Sequence, residues 1–177
     1  SLIGPPRKIT LNQLNICLDK IKSYNNYIQD YPEQFNVNSD LIRSVICWES
    51  EGNLEAKGKD GEIGLMQIIP DTAKEVAREL NYKFPEDLTE EEIKKPETNI
   101  QLGTNYLSNK IIKHKTFSTA LAAYNGGDGG INLQAAKDYA NNVLNLYYAI
   151  QAKNIATITE QKPKLVSVTN LNVIKCG

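Results

Sequence analysis

The chain lacks an excess of either charge: 20 basic and 21 acidic residues leave a net charge of −1 over 177 residues. That balance removes the electrostatic case for nucleic acid, where neutralised phosphates supply most of the affinity, and for an anionic membrane surface. No apolar run approaches the ~18–20 residues that cross a bilayer, so no transmembrane segment is expected. The chain does not start with Met, and its opening Ser1-Leu2-Ile3-Gly4-Pro5-Pro6-Arg7-Lys8 has no apolar signal core. Removal of a signal peptide or a trimmed start produces such a beginning, so a signal peptide is expected to be absent from this sequence. There is one histidine, His114, set among lysines. A His-based metal site or a Ser-His-Asp triad would have to use it, and its surroundings read as an exposed helix end. The three cysteines, Cys17, Cys47 and Cys176, are too few and too scattered for a disulfide scaffold or a zinc site. One pair is still free to bridge in an oxidising compartment, and the spacing does not say which.

What is there is ordinary globular composition, 41% hydrophobic and 23% charged. A chain of this length buries about two-thirds of its surface on folding, enough for a sizeable core. The pattern is helical almost throughout. Leu14, Cys17, Ile21, Tyr24 and Ile28 repeat at alternating spacings of three and four, one helical face, which Tyr31-Pro32 should end. Asn38-Ser39-Asp40 offers N-caps for a helix beginning near Leu41 and stopping near Gly52. Glycines at 52, 58 and 61 mark Glu51 to Ile63 as loop. Pro70 opens a helix to about Leu80. Thr89-Glu90-Glu91-Glu92 is a capping box. Pro96 starts a helix to about Ile112, and Phe117 to Tyr124 forms a short apolar one. After the glycine-rich turn at Gly126 to Gly130, Leu133, Ala136, Tyr139 or Ala140, Val143, Leu146 or Tyr147, and Ile150 line a last helix. Beyond Ala152 the pattern changes to alternating Val, Thr, Ser and Leu. The fold class is therefore all-α, with an N-terminal helical extension over residues 1–36, a main domain over 37–152 and a tail over 153–177, extended or disordered. No repeat or low-complexity block interrupts it.

One position does not fit a plain helical bundle. On the helix beginning near Leu41, Ile42, Val45 and Ile46 form the apolar face, and the next place on it, i+7 from Ile42, is Glu49. A carboxyl there must find partners or hold its proton. Desolvation raises a carboxyl pKa, as a general acid near neutral pH requires. From the helix alone, a solvent-facing Glu at a helix end is the simpler account. Two other segments bear on it. Gly64-Leu65-Met66-Gln67 carries the chain's only Met and puts an amide inside an apolar run. That amide either holds a loop or meets sugar hydroxyl and acetamido groups in a cleft. Ala120-Leu121-Ala122-Ala123-Tyr124-Asn125-Gly126 ends a run of small residues in a hydroxyl and an amide at a helix terminus. That is either a stop signal or part of a cavity wall.

Taken in order, Glu49-Ser50, Ala56, Gly64 to Ala73, Asn99-Ile100, Gly103, Tyr106-Leu107, Ala120 to Gly127 and Tyr139 resemble the lytic transglycosylase family of the soluble, lysozyme-like type, which acts on bacterial peptidoglycan. The resemblance covers about Val37 to Ile150. It implies a lysozyme-like helical domain with a cleft and Glu49 as the single catalytic acid and base. It implies that Ser50 hydrogen-bonds near that Glu and the substrate acetamido group, and that Met66, Gln67, Tyr124, Asn125 and Tyr139 bind substrate. Tyr124 should reach toward Glu49, and Tyr139 should close the site from the other side. The glycine-rich run after Asn125, and Cys47-Trp48 before Glu49, depart from the family pattern.

No second acidic residue occupies a clearly cleft-like position; Asp60, Glu62 and Asp128 lie in loops and read as solvated. Most glycosidases need two carboxyls, with substrate-assisted exceptions. The expected reaction cleaves the β-1,4 bond between N-acetylmuramic acid and N-acetylglucosamine and leaves 1,6-anhydromuramic acid ends, with no metal or organic cofactor. The alternatives are a lysozyme-type hydrolase on the same site and a catalytically silent glycan-binding or assembly module. The expected partners are peptidoglycan glycan strands, with room for a secretion-machine or envelope protein, and the expected location is the bacterial periplasm or envelope.

Overall fold

Thr10 starts the ordered helices with a reciprocal capping box: its hydroxyl accepts from the Gln13 N–H, and the Gln13 side chain accepts from the Thr10 N–H. In this computed structural model, which describes residues 7–161 and their side chains to residue 157, α1 (Leu11–Ile21) buries Leu14, Cys17 and Ile21. The expected continuous helix to Ile28 is broken by a 3₁₀ turn at Lys22–Tyr24, and α2 (Asn25–Phe35) follows. Pro32 does not end α2 as the sequence suggested. The proline removes one N–H from the ladder, but Tyr27, Tyr31 and Phe35 stack at i,i+4 spacing, with centroids 6.4 and 6.3 Å apart, and carry the helix through it. Asn36, in the left-handed region at φ 55°, makes the stop.

α3 (Ser39–Ser50) begins at Asn38, whose side chain accepts from the N–H groups of Asp40 and Leu41. It ends on Glu51 and Gly52, both at positive φ. α4 (Pro70–Glu79) takes Pro70 in its first turn, where a missing N–H costs nothing. α5 (Glu90–Lys94) has the expected Thr89 capping box. α6 (Pro96–His114) and α7 (Phe117–Gly126) follow, then a 3₁₀ turn at Asp128–Gly130 and α8 (Gln134–Gln161). Among the described residues the only β pairing is two isolated bridges, Lys57 with Ile63 and Ile63 with Ile68. No helix among them is long and apolar enough to cross a membrane.

α7 packs against α6 and α8, α8 against α3, and α6 against α2. One core runs through all of these, from Leu14 and Cys17 of α1 to Val143 and Ile150 of α8. A disulfide joins Cys17 to Cys47, tying α1 to α3 two residues before Glu49. Leu133, expected on the inward stripe, precedes α8 and is 60% exposed. The change of pattern after Ala152 does not end α8, which continues to Gln161. Gln151 and Asn154 both donate to the Asp40 carboxylate, at 2.8 and 3.0 Å, and Lys153 donates to Asn15 at 2.9 Å. These contacts anchor the extra turns. The rest of the expected tail, from residue 162, lies outside the described residues.

Candidate active site

The site is assembled around one tight turn. Ile63 and Ile68 exchange both backbone hydrogen bonds at 3.0 Å, so Gly64, Leu65, Met66 and Gln67 form the loop of a miniature hairpin. Gly64 sits at φ +76° and Gln67 at φ 51°. Such a turn exposes backbone groups that a buried setting cannot leave unpaired, and side chains from three helices and from the turn itself pair them. Asn99 of α6 accepts from the Met66 N–H at 2.7 Å and donates to the carbonyls of Ile63 and Ile93, both at 3.0 Å. Ser50 donates to the Leu65 carbonyl at 2.8 Å. The Gln67 amide nitrogen donates to Gly64 and Ala56, at 2.8 and 3.0 Å. Tyr124 of α7 donates to the Met66 carbonyl at 2.7 Å. Gly103 lets Met66 lie against α6; a Cβ there would stand 2.5 Å from the Met66 sulfur.

Glu49 stands where the α3 stripe puts it, beyond Ile42, Val45 and Ile46, all fully buried. Its half-buried carboxyl faces a cleft of about 370 Å³ lined also by Glu62, Gln67, Ile68, Ile69, Thr72, Tyr106, Tyr124, Asn125, Gly126 and Gly127. Burial pushes its pKa up to about 7, and the charge of Glu62 adds to the rise; Tyr139 and the Arg7 guanidinium oppose it. Arg7 lies over the Trp48 ring, 4.6 Å from its centroid, and 3.8 Å from the Glu51 carboxylate. The Tyr139 hydroxyl is buried beside Glu49 and makes no hydrogen bond of good geometry. Burial, then the neighbouring Glu49 charge, raises the pKa of both Tyr124 and Tyr139 well above the usual phenol value. Their rings stack, 6.4 Å apart at 11°, and Tyr106 packs on Tyr124 at 5.3 Å.

The sequence-derived site residues therefore divide into two groups. Gln67, Tyr124 and Asn125 line the cleft with Glu49; Tyr139, expected to bind substrate, does not line it and is buried with its ring stacked on Tyr124. Ser50 and Met66 do not line the cleft either. The Ser50 hydroxyl is spent on the carbonyls of Ile46 and Leu65 and on the Gly52 N–H, and Met66 is fully buried. The Tyr124 hydroxyl is committed to Met66, so the phenol beside Glu49 is that of Tyr139. Glu62, read from the sequence as solvated loop, is part of the cleft wall, because the Ile63–Ile68 pairing turns the residue before it inward. Asp128 is not freely solvated either: it gathers Lys110, Lys113 and His114 at 3.0, 2.7 and 2.8 Å. These contacts hold its carboxyl well below the usual range. They also pin the turn beside Gly126 and Gly127 to the end of α6, leaving the His114 side chain only 12% exposed. Ile68, Ile69, Thr72 and Tyr106 went unnoticed as wall residues. Ile69, 42% exposed within an apolar run, is the one with a visible signal.

Comparison with known proteins agrees with this geometry. The family model for the Transglycosylase SLT domain matches residues 26–146. The chain is similar to the membrane-bound lytic murein transglycosylase E of Buchnera aphidicola subsp. Acyrthosiphon pisum, 38% identical over 98 residues, which cover 55% of this chain and 43% of that protein. It is similar to the soluble lytic murein transglycosylase of Salmonella typhimurium, 31% identical over 115 residues, 62% of this chain and 17% of the relative. Among solved structures, the 70 kDa soluble lytic transglycosylase of Escherichia coli superposes with a TM-score of 0.64 at 26% identity, over 73% of this chain and 24% of that one. The chain thus spans less than half the length of these relatives. The all-α, lysozyme-like fold expected from the sequence is borne out.

Proposed function

Because the chain belongs to the Transglycosylase SLT domain family, we propose that it is a peptidoglycan lytic transglycosylase in which Glu49 acts first as acid and then as base. One observation carries this: the half-buried Glu49 carboxyl of α3, with a pKa raised to about 7, opens into a cleft walled by aromatic and amide side chains and by Glu62. Near neutral pH such a group both gives and takes a proton readily, which is worth roughly 10²–10⁴-fold.

Protonated Glu49 donates to the glycosidic oxygen between N-acetylmuramic acid and N-acetylglucosamine. The C1–O bond breaks, and positive charge develops at C1. The muramyl 6-hydroxyl oxygen bonds to C1, its proton returns to Glu49, and a 1,6-anhydro ring closes. Tyr139 lies beside the carboxyl and favours its ionised form midway. Asn125 and the Gln67 amide oxygen are the groups available to sugar hydroxyl and acetamido groups; Ile68, Ile69 and Tyr106 offer apolar faces for the rings. Ser50, Asn99 and the Tyr124 hydroxyl serve by fixing the turn that forms the cleft floor.

The Cys17–Cys47 bridge fits the oxidising bacterial envelope, where the substrate also lies. The test is digestion of purified peptidoglycan followed by mass spectrometry. The intact chain should release anhydromuramyl ends, and Glu49→Gln should release none while keeping its circular dichroism. Normal anhydro release by Glu49→Gln sinks the assignment. Absence of any product from the intact chain favours a glycan-binding module instead.

A further inference from the structure

Part of the cleft wall is built from a sequence that has little reason to hold still. Asn125, Gly126 and Gly127 line the cleft, and the run from Gly126 to Gly130 is glycine except at Asp128. Glycine loses more backbone freedom on folding than any other residue. Gly127 sits at φ +74°, and a Cβ at Gly127 or Gly129 would meet nothing within 4 Å, so packing braces neither position. The Gly127 N–H donates to the Ala123 carbonyl at 2.8 Å and the Gly130 N–H to the Gly127 carbonyl at 3.0 Å. The run has one side chain with which to hold anything else, that of Asp128. Its Oδ1 accepts from Lys110 at 3.0 Å and lies 2.8 Å from His114 Nε2, and its Oδ2 accepts from Lys113 at 2.7 Å. These three partners stand at i, i+3 and i+4, on one face of the end of α6. The side chains of Lys110 and His114 are only 14% and 12% exposed, so solvent screens the contacts through Oδ1 weakly. Lys110 also lies over the ring of Tyr106, 4.8 Å from its centroid, and Tyr106 is cleft wall too.

We propose that Asp128 is a positioning residue for substrate: by fastening the Asn125–Gly127 wall to α6, it sets the affinity of the cleft for a glycan strand. The inference rests on the transglycosylase reading of the Glu49 cleft. The Asn125 amide and the Tyr106 ring meet the strand, and Asp128 acts through both. Without the tether, the glycine run samples many backbone states, and a strand that binds must freeze it again. That cost falls on the bound ground state and the transition state alike, so it weakens affinity and spares the chemical step. The Glu49 side of the cleft is held separately, by Ser50, Asn99 and the Tyr124 hydroxyl around the Met66 turn. Attraction by charge would act in the opposite direction. Peptidoglycan strands carry peptide carboxylates, and neutralising Asp128 makes the Lys110, Lys113 and His114 face more positive. If that face worked by attraction, the neutral variant would bind more tightly; with a tether lost, it binds more weakly.

The experiment measures KM and kcat on soluble, uncross-linked peptidoglycan strands, counting anhydro ends by mass spectrometry. The proteins are the intact chain, Asp128→Asn, and Asp128→Asn combined with Gly129→Ala. Hydrogen exchange over residues 125–131 is followed without substrate. Asp128→Asn, an isosteric change at a partly exposed site, should keep its circular dichroism, raise KM by about tenfold and hold kcat within about threefold. Exchange at the Gly127 and Gly130 amides should speed up. Gly129 is outside the left-handed region and has open space for a Cβ, so alanine there removes backbone freedom without strain. In the Asp128→Asn background it should recover at least about twofold of the lost affinity, although it restores no charge and no ion contact. A KM unchanged or lowered in Asp128→Asn overturns the tether. So does a raised KM with unchanged exchange, or one that Gly129→Ala does not relieve. In each of these cases the intact chain still makes anhydro ends, and the transglycosylase reading stands. If the intact chain makes none, that reading fails and the substrate role of Asp128 fails with it.

Discussion

The Tyr124 hydroxyl donates a 2.7 Å hydrogen bond to the carbonyl oxygen of Met66, joining α7 to the turn that floors the cleft. Its neighbour Tyr139, stacked on the same ring, has a buried hydroxyl without such a partner. The two phenols should therefore respond to different extents to the same change. Tyr124→Phe leaves a buried carbonyl unpaired and should cost about 1–3 kcal/mol of stability. Tyr139→Phe removes a hydroxyl held only loosely beside Glu49 and should change stability by less than about 1 kcal/mol. Because Tyr139 favours the ionised form of Glu49, its loss should also move the alkaline limb of the rate profile to higher pH. Urea denaturation and pH–rate curves on both variants check this; equal destabilisation by the two would contradict the assignment.

Asn99 should be the most costly polar residue to replace outside the cleft. It is fully buried, and its amide serves Met66, Ile63 and Ile93 at once. Asn99→Leu takes the side-chain partner from the Met66 N–H and the Ile93 carbonyl and leaves the Ile63 carbonyl with Ile68 alone, which we expect to cost about 3 kcal/mol. Gly64→Ala attacks the same junction from the other side. Its φ is +76°, and a Cβ would stand 2.6 Å from Asn99 Nδ2. Both variants should lower the thermal midpoint and the yield of folded protein together. An Asn99→Leu protein as stable as the parent would show that the turn does not depend on this amide.

That network also explains how far the sequence could be read. Helix ends were legible where they are local chemistry: Asn38, Thr89 and Pro70 each act within one turn of themselves. The place of Glu49 followed from a seven-residue spacing on one face. What escaped was set by contacts distant in sequence. Asn99 lies 33 residues from Met66, and Tyr124 lies 58 from it. Nothing near Ser50 says that its hydroxyl is taken by Leu65 rather than offered to a ligand. Glu62 looked solvated because loop acids usually are, and only the Ile63–Ile68 pairing turns it toward Glu49. Pro32 misled for a related reason: helix rules weigh the lost N–H, whereas the stacked Tyr27, Tyr31 and Phe35 decide the outcome.

Glu49 should make the fold less stable as pH rises. Unfolded, its carboxyl ionises near the ordinary value of 4.5; folded, burial delays this to about 7. Between those values the folded chain holds more protons than the unfolded one, so stability falls as pH rises and levels off above about 7. The interval corresponds to about 3 kcal/mol. Glu49→Gln cannot ionise and escapes that loss. Its stability should match the parent near about pH 4 and exceed it by up to about 3 kcal/mol near about pH 8. Denaturant melts at the two pH values test this, and a constant difference between the proteins would mean that the carboxyl is not desolvated.

The Cys17–Cys47 bridge closes a separation of 30 residues that takes in the later part of α1, all of α2 and most of α3. Loop closure of that size restricts the unfolded chain by about 3–4 kcal/mol. Reduction, or Cys17→Ala with Cys47→Ala, should lower the thermal midpoint by roughly 10 °C for a protein of this length. Glu49 lies only two residues beyond Cys47, yet the packing argues against a loss of activity as well. Val45 and Ile46 are fully buried in the shared core, α3 packs on α8, and Ser50 is bonded to Leu65, so the Glu49 end of α3 is held without the bridge. Turnover well below the midpoint should therefore stay within about twofold of the oxidised protein, since the bridge acts chiefly on the unfolded state. Calorimetry and peptidoglycan digestion with and without reductant separate the two effects. Activity lost at temperatures where the reduced protein is still folded would instead make the bridge a device that positions Glu49.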